Sequence, residues 1–171
     1  MTRHGIAVII SFFLFLFFQV LVLQRVVLFN TAFCLLYISF LFLLPVETNR
    51  LILMLVGFIL GFGVDLFYES MGLHMFACVF IMYFRNLWLN SITPQGGYDA
   101  NAIPALSLGG LQWFLVYITP LVFVHHALLF FMEAGGFNYF WYTLLKVVAS
   151  TIFTIIAIVM VQYLFPHRVR T

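Results

Sequence analysis

The sequence predicts an all-α integral membrane protein: one transmembrane domain over residues 1–171, built as a bundle of about six transmembrane helices. Three observations predict it. Hydrophobic residues make up 65% of the chain and charged residues 7%, against about 45–50% and about 25% in a soluble domain, so there is too little polar surface to face water all round. The apolar residues fall into runs close to the roughly 20 residues that a membrane helix needs. The breaks between the runs carry Pro, Gly, Asn and Ser, the residues of turns and loops.

The helices follow in order. The first covers residues 5–23. Its basic start and apolar run imitate a signal peptide, but the run is longer than an h-region and no small-x-small site follows, so it reads as a retained helix. Gln24 and Arg25 make a tight turn into a second helix over 26–44, which Pro45 ends because its ring cannot continue a helix. "PVETNR" is a loop, the third helix covers 51–68, and "ESMG" turns into a fourth over 73–89. A polar loop over 90–110 follows, then a fifth helix over 111–132, the turn "EAGGFN", and a sixth helix over 139–165.

Six helices put both termini on one side. That side holds Arg3, Arg50, Arg85, Arg168 and Arg170, against Arg25 and Lys146 on the other. Positive charge marks the cytoplasmic side, so the expectation is N-in and C-in, with the 90–110 loop cytoplasmic. The net charge of +2 comes from singly scattered residues, which gives no footprint for nucleic acid. Cys34 and Cys78 lie inside apolar runs and read as packing residues. Lys146 is expected at the outer interface, where its stem can snorkel, within reach of Glu133. "FNYFWYT" before it reads as an aromatic belt.

Few residues offer chemistry. Gly57, Gly61 and Asp65 recur at four-residue steps in "GFILGFGVD". On a helix they form one stripe, and two glycines four apart let membrane helices approach closely. The stripe reads as a packing groove that ends in a carboxylate. The following turn, with Ser70, Gly72 and Leu73, exposes backbone N–H groups that Asp65 can accept. His74 starts the fourth helix and reads as a capping or interface residue. His125 and His126 point about 100° apart and lack the i, i+4 spacing with a nearby Glu that zinc requires, so no metal is expected. Thr143, Lys146, Ser150 and Thr154 form a stripe expected to face inward and hydrogen-bond another helix. Walker A, GxSxG, CxxC and HExxH motifs are absent from the sequence, as are paired carboxylates. An enzyme is not expected, and no cofactor is implied.

"GFILGFGVDLFYESMGLH" followed by "MFACVFIMYFRNLW" resembles the rod shape-determining protein MreD family. A Gly-rich helix runs into a helix-end Asp, a Gly-Leu turn follows, and the next apolar helix ends in Arg. The matching positions are Gly57, Gly61, Asp65, Gly72, Leu73 and Arg85. The chain departs from the family in its Phe richness and in its 91–110 loop. The resemblance implies a non-catalytic scaffold subunit of the bacterial cell-elongation machinery in the inner membrane. Its partner would be MreC and, through the complex, the cytoskeletal protein MreB and the peptidoglycan synthases. It also implies a fold similar to the six-helix substrate-binding subunits of energy-coupling-factor transporters. On this reading the third and fourth helices present their glycine groove to a partner's membrane helix. A rival reading is a carrier subunit that binds a vitamin-like molecule, because Asp65, His125, His126, Glu133 and Lys146 all fall in the outer half of the bundle.

Overall fold

The computed structural model describes residues 3–99 and 102–166. Arg168 and Arg170, used above for orientation, lie outside the described residues. Among the described residues six α-helices are formed: α1 (Arg3–Leu21), α2 (Ile38–Phe42), α3 (Arg50–Tyr68), α4 (Leu73–Ser91), α5 (Leu106–Glu133) and α6 (Phe140–Leu164). Four stretches are long and apolar enough to cross a membrane: Gly5–Arg25, Arg50–Tyr68, Leu106–Glu133 and Phe140–Leu164. The chain is therefore a mostly helical protein of membrane-spanning character. α4 is as long as α3, at 19 residues, but is more polar, carrying His74, Arg85, Asn86 and Asn90.

The expected second helix over 26–44 does not form. A 3₁₀ turn at Leu23–Arg25 leads into a small antiparallel hairpin, β1 (Val27–Leu28) and β2 (Ala32–Phe33), with Val27 opposite Phe33 and Leu28 opposite Ala32. Phe29 and Asn30 turn the hairpin with φ of 51° and 57°, a left-handed conformation that breaks any helix there. Irregular backbone then runs into α2, which is only five residues long.

This passage lies inside the protein: Tyr37, Ile38, Leu41 and Phe42 are fully buried. Non-helical backbone survives away from water only where the protein supplies hydrogen bonds, and here it does. Gln19 of α1 donates to the Cys34 carbonyl (3.0 Å) and accepts the Tyr37 N–H (3.3 Å). Ser150 and Thr154 of α6 accept the N–H groups of Phe33 (2.9 Å) and Leu35 (3.1 Å). The polar stripe on α6 does face inward: Ser150 and Thr154 hold this backbone, while Thr154 and Lys146 also meet His126 and Glu133 of α5.

The remaining boundaries lie close to expectation. α5 begins at Leu106, but Gly110 (φ 75°, ψ −179°) interrupts it, so the regular helix starts at 111. The described parts of the connection between α4 and α5, residues 92–99 and 102–105, pack on the bundle, with the Val46 N–H donating to the Ala102 carbonyl (2.9 Å) and Tyr98 edge-on to Trp113. The chain between α2 and α3 meets α4 and α5 at one end of the bundle. The β hairpin, the α3–α4 turn and the α5–α6 turn gather at the other.

Candidate functional site

The α3–α4 hairpin is held by an inner seam. Leu53, Gly57, Leu60, Gly61, Val64 and Asp65 are the buried residues of α3. A Cβ on Gly57 would stand 3.1 Å from the Cys78 carbonyl oxygen, and one on Gly61 would stand 2.7 Å from the His74 carbonyl oxygen. The glycine stripe is therefore filled by α4 of the same chain. The expectation that Gly57 and Gly61 offer a groove to a partner is corrected accordingly: with no side chains between them, the two helix backbones close the groove themselves.

Asp65 ends this seam. Its Oδ1 accepts the Ser70 hydroxyl (2.5 Å), the His74 N–H (3.0 Å) and His74 Nδ1–H (3.0 Å), while Oδ2 accepts the Met75 N–H (2.9 Å). The His74 and Met75 N–H groups belong to the first turn of α4 and have no partner inside the helix. The turn itself is tight, with Glu69, Met71 and Gly72 at φ of 54°, 50° and 90°. Gly72 takes that value without strain. Leu73 is partly buried beside the turn.

A buried polar network extends from the seam into the bundle. Tyr68 accepts from Gln19 (2.8 Å) and lies edge-on to the His74 ring. The Tyr37 hydroxyl is 2.9 Å from His125 Nε2 and accepts the Cys78 thiol at 3.7 Å. His126 Nδ1 donates to the Val122 carbonyl (2.8 Å), and its Nε2 lies 3.2 Å from Thr154 Oγ1. The two histidines thus pin the irregular 33–37 passage from two sides. Among the described residues no group of three His, Cys, Asp or Glu side chains is placed to hold a metal.

Of the expected outer cluster, Glu133 pairs with Lys146, while His125 and His126 lie edge to face with each other. Lys146 Nζ donates to Glu133 Oε2 at 2.7 Å and sits over the rings of Phe33 and Phe130. His125 and His126 are fully buried behind them. A cavity of about 130 Å³ opens between these groups and the α3–α4 turn, with Tyr68, Ser70, His74, Phe130, Glu133 and Lys146 on its walls. A second, larger cleft of about 390 Å³ lies between α5 and α6 and shares Glu133 and Lys146.

At the opposite end sits a residue whose role the sequence did not reveal. Arg85 was expected at a helix end facing the cytoplasm, yet it is fully buried. Its Nε donates to the Tyr117 hydroxyl (2.9 Å), and its guanidinium reaches the carbonyls of Phe42 and Leu44 and the Asn86 side chain. Tyr117 in turn donates to the Phe42 carbonyl (2.9 Å). Arg85 therefore caps the carbonyl end of α2, where a cation is favoured. Its rigid fork of five donors suits several acceptors at once.

The four long apolar helices make this a mostly helical chain of membrane-spanning character. Comparison with protein-family models, with curated proteins and with solved structures yields no match.

Proposed function

We propose that the chain is a non-catalytic scaffold subunit of the bacterial cell-elongation machinery, embedded in the inner membrane and binding MreC. Through MreC it would join MreB and the peptidoglycan synthases. The resemblance to the MreD family, with its six-helix fold like that of energy-coupling-factor substrate-binding subunits, motivates the reading. The observation that carries it is the α3–α4 hairpin. The stretch bearing the resemblance folds as one closed unit whose Asp65, His74 and Arg85 bind the chain's own backbone and side chains, as suits a rigid platform. With the glycine seam closed, the face left for a partner's membrane helix is the outward one, where Phe58 and Phe62 stack and Leu66 is exposed.

The N-in, C-in orientation belongs to the same proposal. Arg85 is buried and leaves the count of loop charges, so Arg3, Arg50, Arg168 and Arg170 stand against Arg25 and Lys146, and the bias keeps its sign. Affinity capture from the native membrane tests the reading, because MreC has to come down with the chain.

One observation favours a second reading, a small-molecule-binding subunit of a membrane transporter. The 130 Å³ cavity draws Tyr68, His74, Glu133 and Lys146 to one depth from α3, α4, α5 and α6. Convergent polar groups on an otherwise apolar wall are the usual form of a ligand pocket. A bound vitamin-like molecule, found by mass spectrometry of the purified protein, would select this reading over the first.

A further inference from the structure

We propose that the cleft between α5 and α6 binds a phospholipid headgroup carrying both a phosphate and a primary ammonium. The inference does not depend on the scaffold reading, and its two charged residues also line the cavity of the second reading. It rests on where the cleft lies, on its shape and on its two charges.

The cleft sits where α5 ends at Glu133 and α6 begins at Phe140. Around it Phe137, Tyr139, Trp141 and Tyr142 are all well exposed. Tyr and Trp concentrate at headgroup level because one part of each ring system is apolar and the other polar. The cleft's volume of about 390 Å³ is that of a small-ligand site. Its walls are Phe130, Glu133, Tyr139, Tyr142, Thr143 and Lys146.

Lys146 lies six residues into α6, about 9 Å below its start at 1.5 Å per residue. A lysine at that depth could extend toward water. Instead it is folded inward: its side chain is only 16% exposed, against 52% for Glu133, and its ammonium rests over two aromatic rings, 4.7 Å from the centre of Phe33 and 4.3 Å from that of Phe130. One of its three N–H donors goes to Glu133. The result is a cation on the floor of the cleft and a carboxylate at its lip. A ligand matching both carries an anion that reaches inward and a hydrogen-bonding cation nearer the surface.

A phosphoethanolamine headgroup has that arrangement, with the phosphate next to the acyl chains and the ammonium beyond it. The phosphate would take the remaining Lys146 donors, and the ammonium would donate to Glu133. A phosphocholine group has no N–H to donate, and a phosphoglycerol group has no cation. The site should therefore rank ethanolamine above both.

The test is native mass spectrometry of the full chain in mild detergent with equal amounts of phosphatidylethanolamine, phosphatidylcholine and phosphatidylglycerol. The expected result is retention of the ethanolamine lipid over either other by roughly fivefold or more, the effect of one charge-assisted hydrogen bond. Glu133→Gln, isosteric and at a half-exposed site, should bring the three lipids to parity. Lys146→Met should lower retention of all three. Excess soluble glycerophosphoethanolamine should strip the bound lipid, which locates recognition in the headgroup. Equal retention of the three lipids by the wild-type chain would overturn the proposal. So would an ethanolamine preference that survives Glu133→Gln, or a bound lipid that the soluble headgroup does not displace.

Discussion

Gly61→Ala probes the seam between α3 and α4 most sharply. The added methyl would stand 2.7 Å from the His74 carbonyl oxygen and 2.7 Å from the Met75 nitrogen, where ordinary contact begins at 3.4 Å. The obstruction is backbone, with the Met75 Cα closer still, so the two helices have to part rather than a side chain give way. The hydrogen bonds from the His74 and Met75 N–H groups to Asp65, at 3.0 and 2.9 Å, would then stretch beyond useful length. Overpacking costs about 1–3 kcal/mol, and each weakened bond to a carboxylate adds up to about 1.5–3 kcal/mol. Replacing glycine in a helix returns about 1 kcal/mol. The expected loss is about 3–8 kcal/mol. Two controls grade the effect. A methyl on Gly57 meets Cys78 and Met82 at 3.1 Å, and one on Gly63 meets only the flexible Leu16 side chain at 3.2 Å. Gly57→Ala should cost about 1 kcal/mol, and Gly63→Ala should be neutral or slightly stabilising. Denaturant titration in detergent, followed by circular dichroism, reads all three. A Gly61→Ala chain as stable as Gly63→Ala would refute the close seam.

Two further substitutions test the internal caps. Asp65→Asn leaves one acceptor oxygen where two now serve the His74 and Met75 N–H groups, so it should cost about 1–3 kcal/mol. Faster amide exchange at one of these two positions would show it, and unchanged exchange would count against it. Thr154→Val removes the acceptor for the Leu35 N–H and should loosen the neighbouring Cys34, which is 2% exposed. Its labelling by a thiol reagent should rise roughly tenfold, as expected for the loss of about one hydrogen bond of local stability. A Cys34 as unreactive as in the wild-type chain would contradict this role for Thr154.

The long helices could be read from the sequence because lipid-facing sides make their apolar runs continuous and their breaks polar. α3, α4 and α6 lie within two residues of the expected limits. The passage over 26–44 could not be read this way. A buried irregular segment and a lipid-facing helix are equally apolar, and what separates them here lies far along the chain. Ser150 and Thr154 hold backbone more than a hundred residues earlier, a pairing no local pattern encodes. The same holds for Arg85, whose charge suggested a membrane edge although its acceptors are carbonyls at the end of α2. Asp65 could be placed because its partners are the next turn of the same hairpin. The glycine stripe signalled close approach, but spacing alone does not say whether the approaching helix belongs to the same chain. His125 and His126 looked like neighbours of Lys146 in depth, whereas packing turns them toward Tyr37 and Thr154 instead.

The central claim, a scaffold of the elongation machinery, is tested most directly by capture of the tagged chain from its native membrane in mild detergent. Mass spectrometry would then identify the co-purified proteins and any bound small molecule. MreC and peptidoglycan synthases should come down with the chain, without a vitamin-like ligand. An ATPase module or a stoichiometric small molecule in their place would contradict the claim and move attention to the cavity beside Glu133 and Lys146.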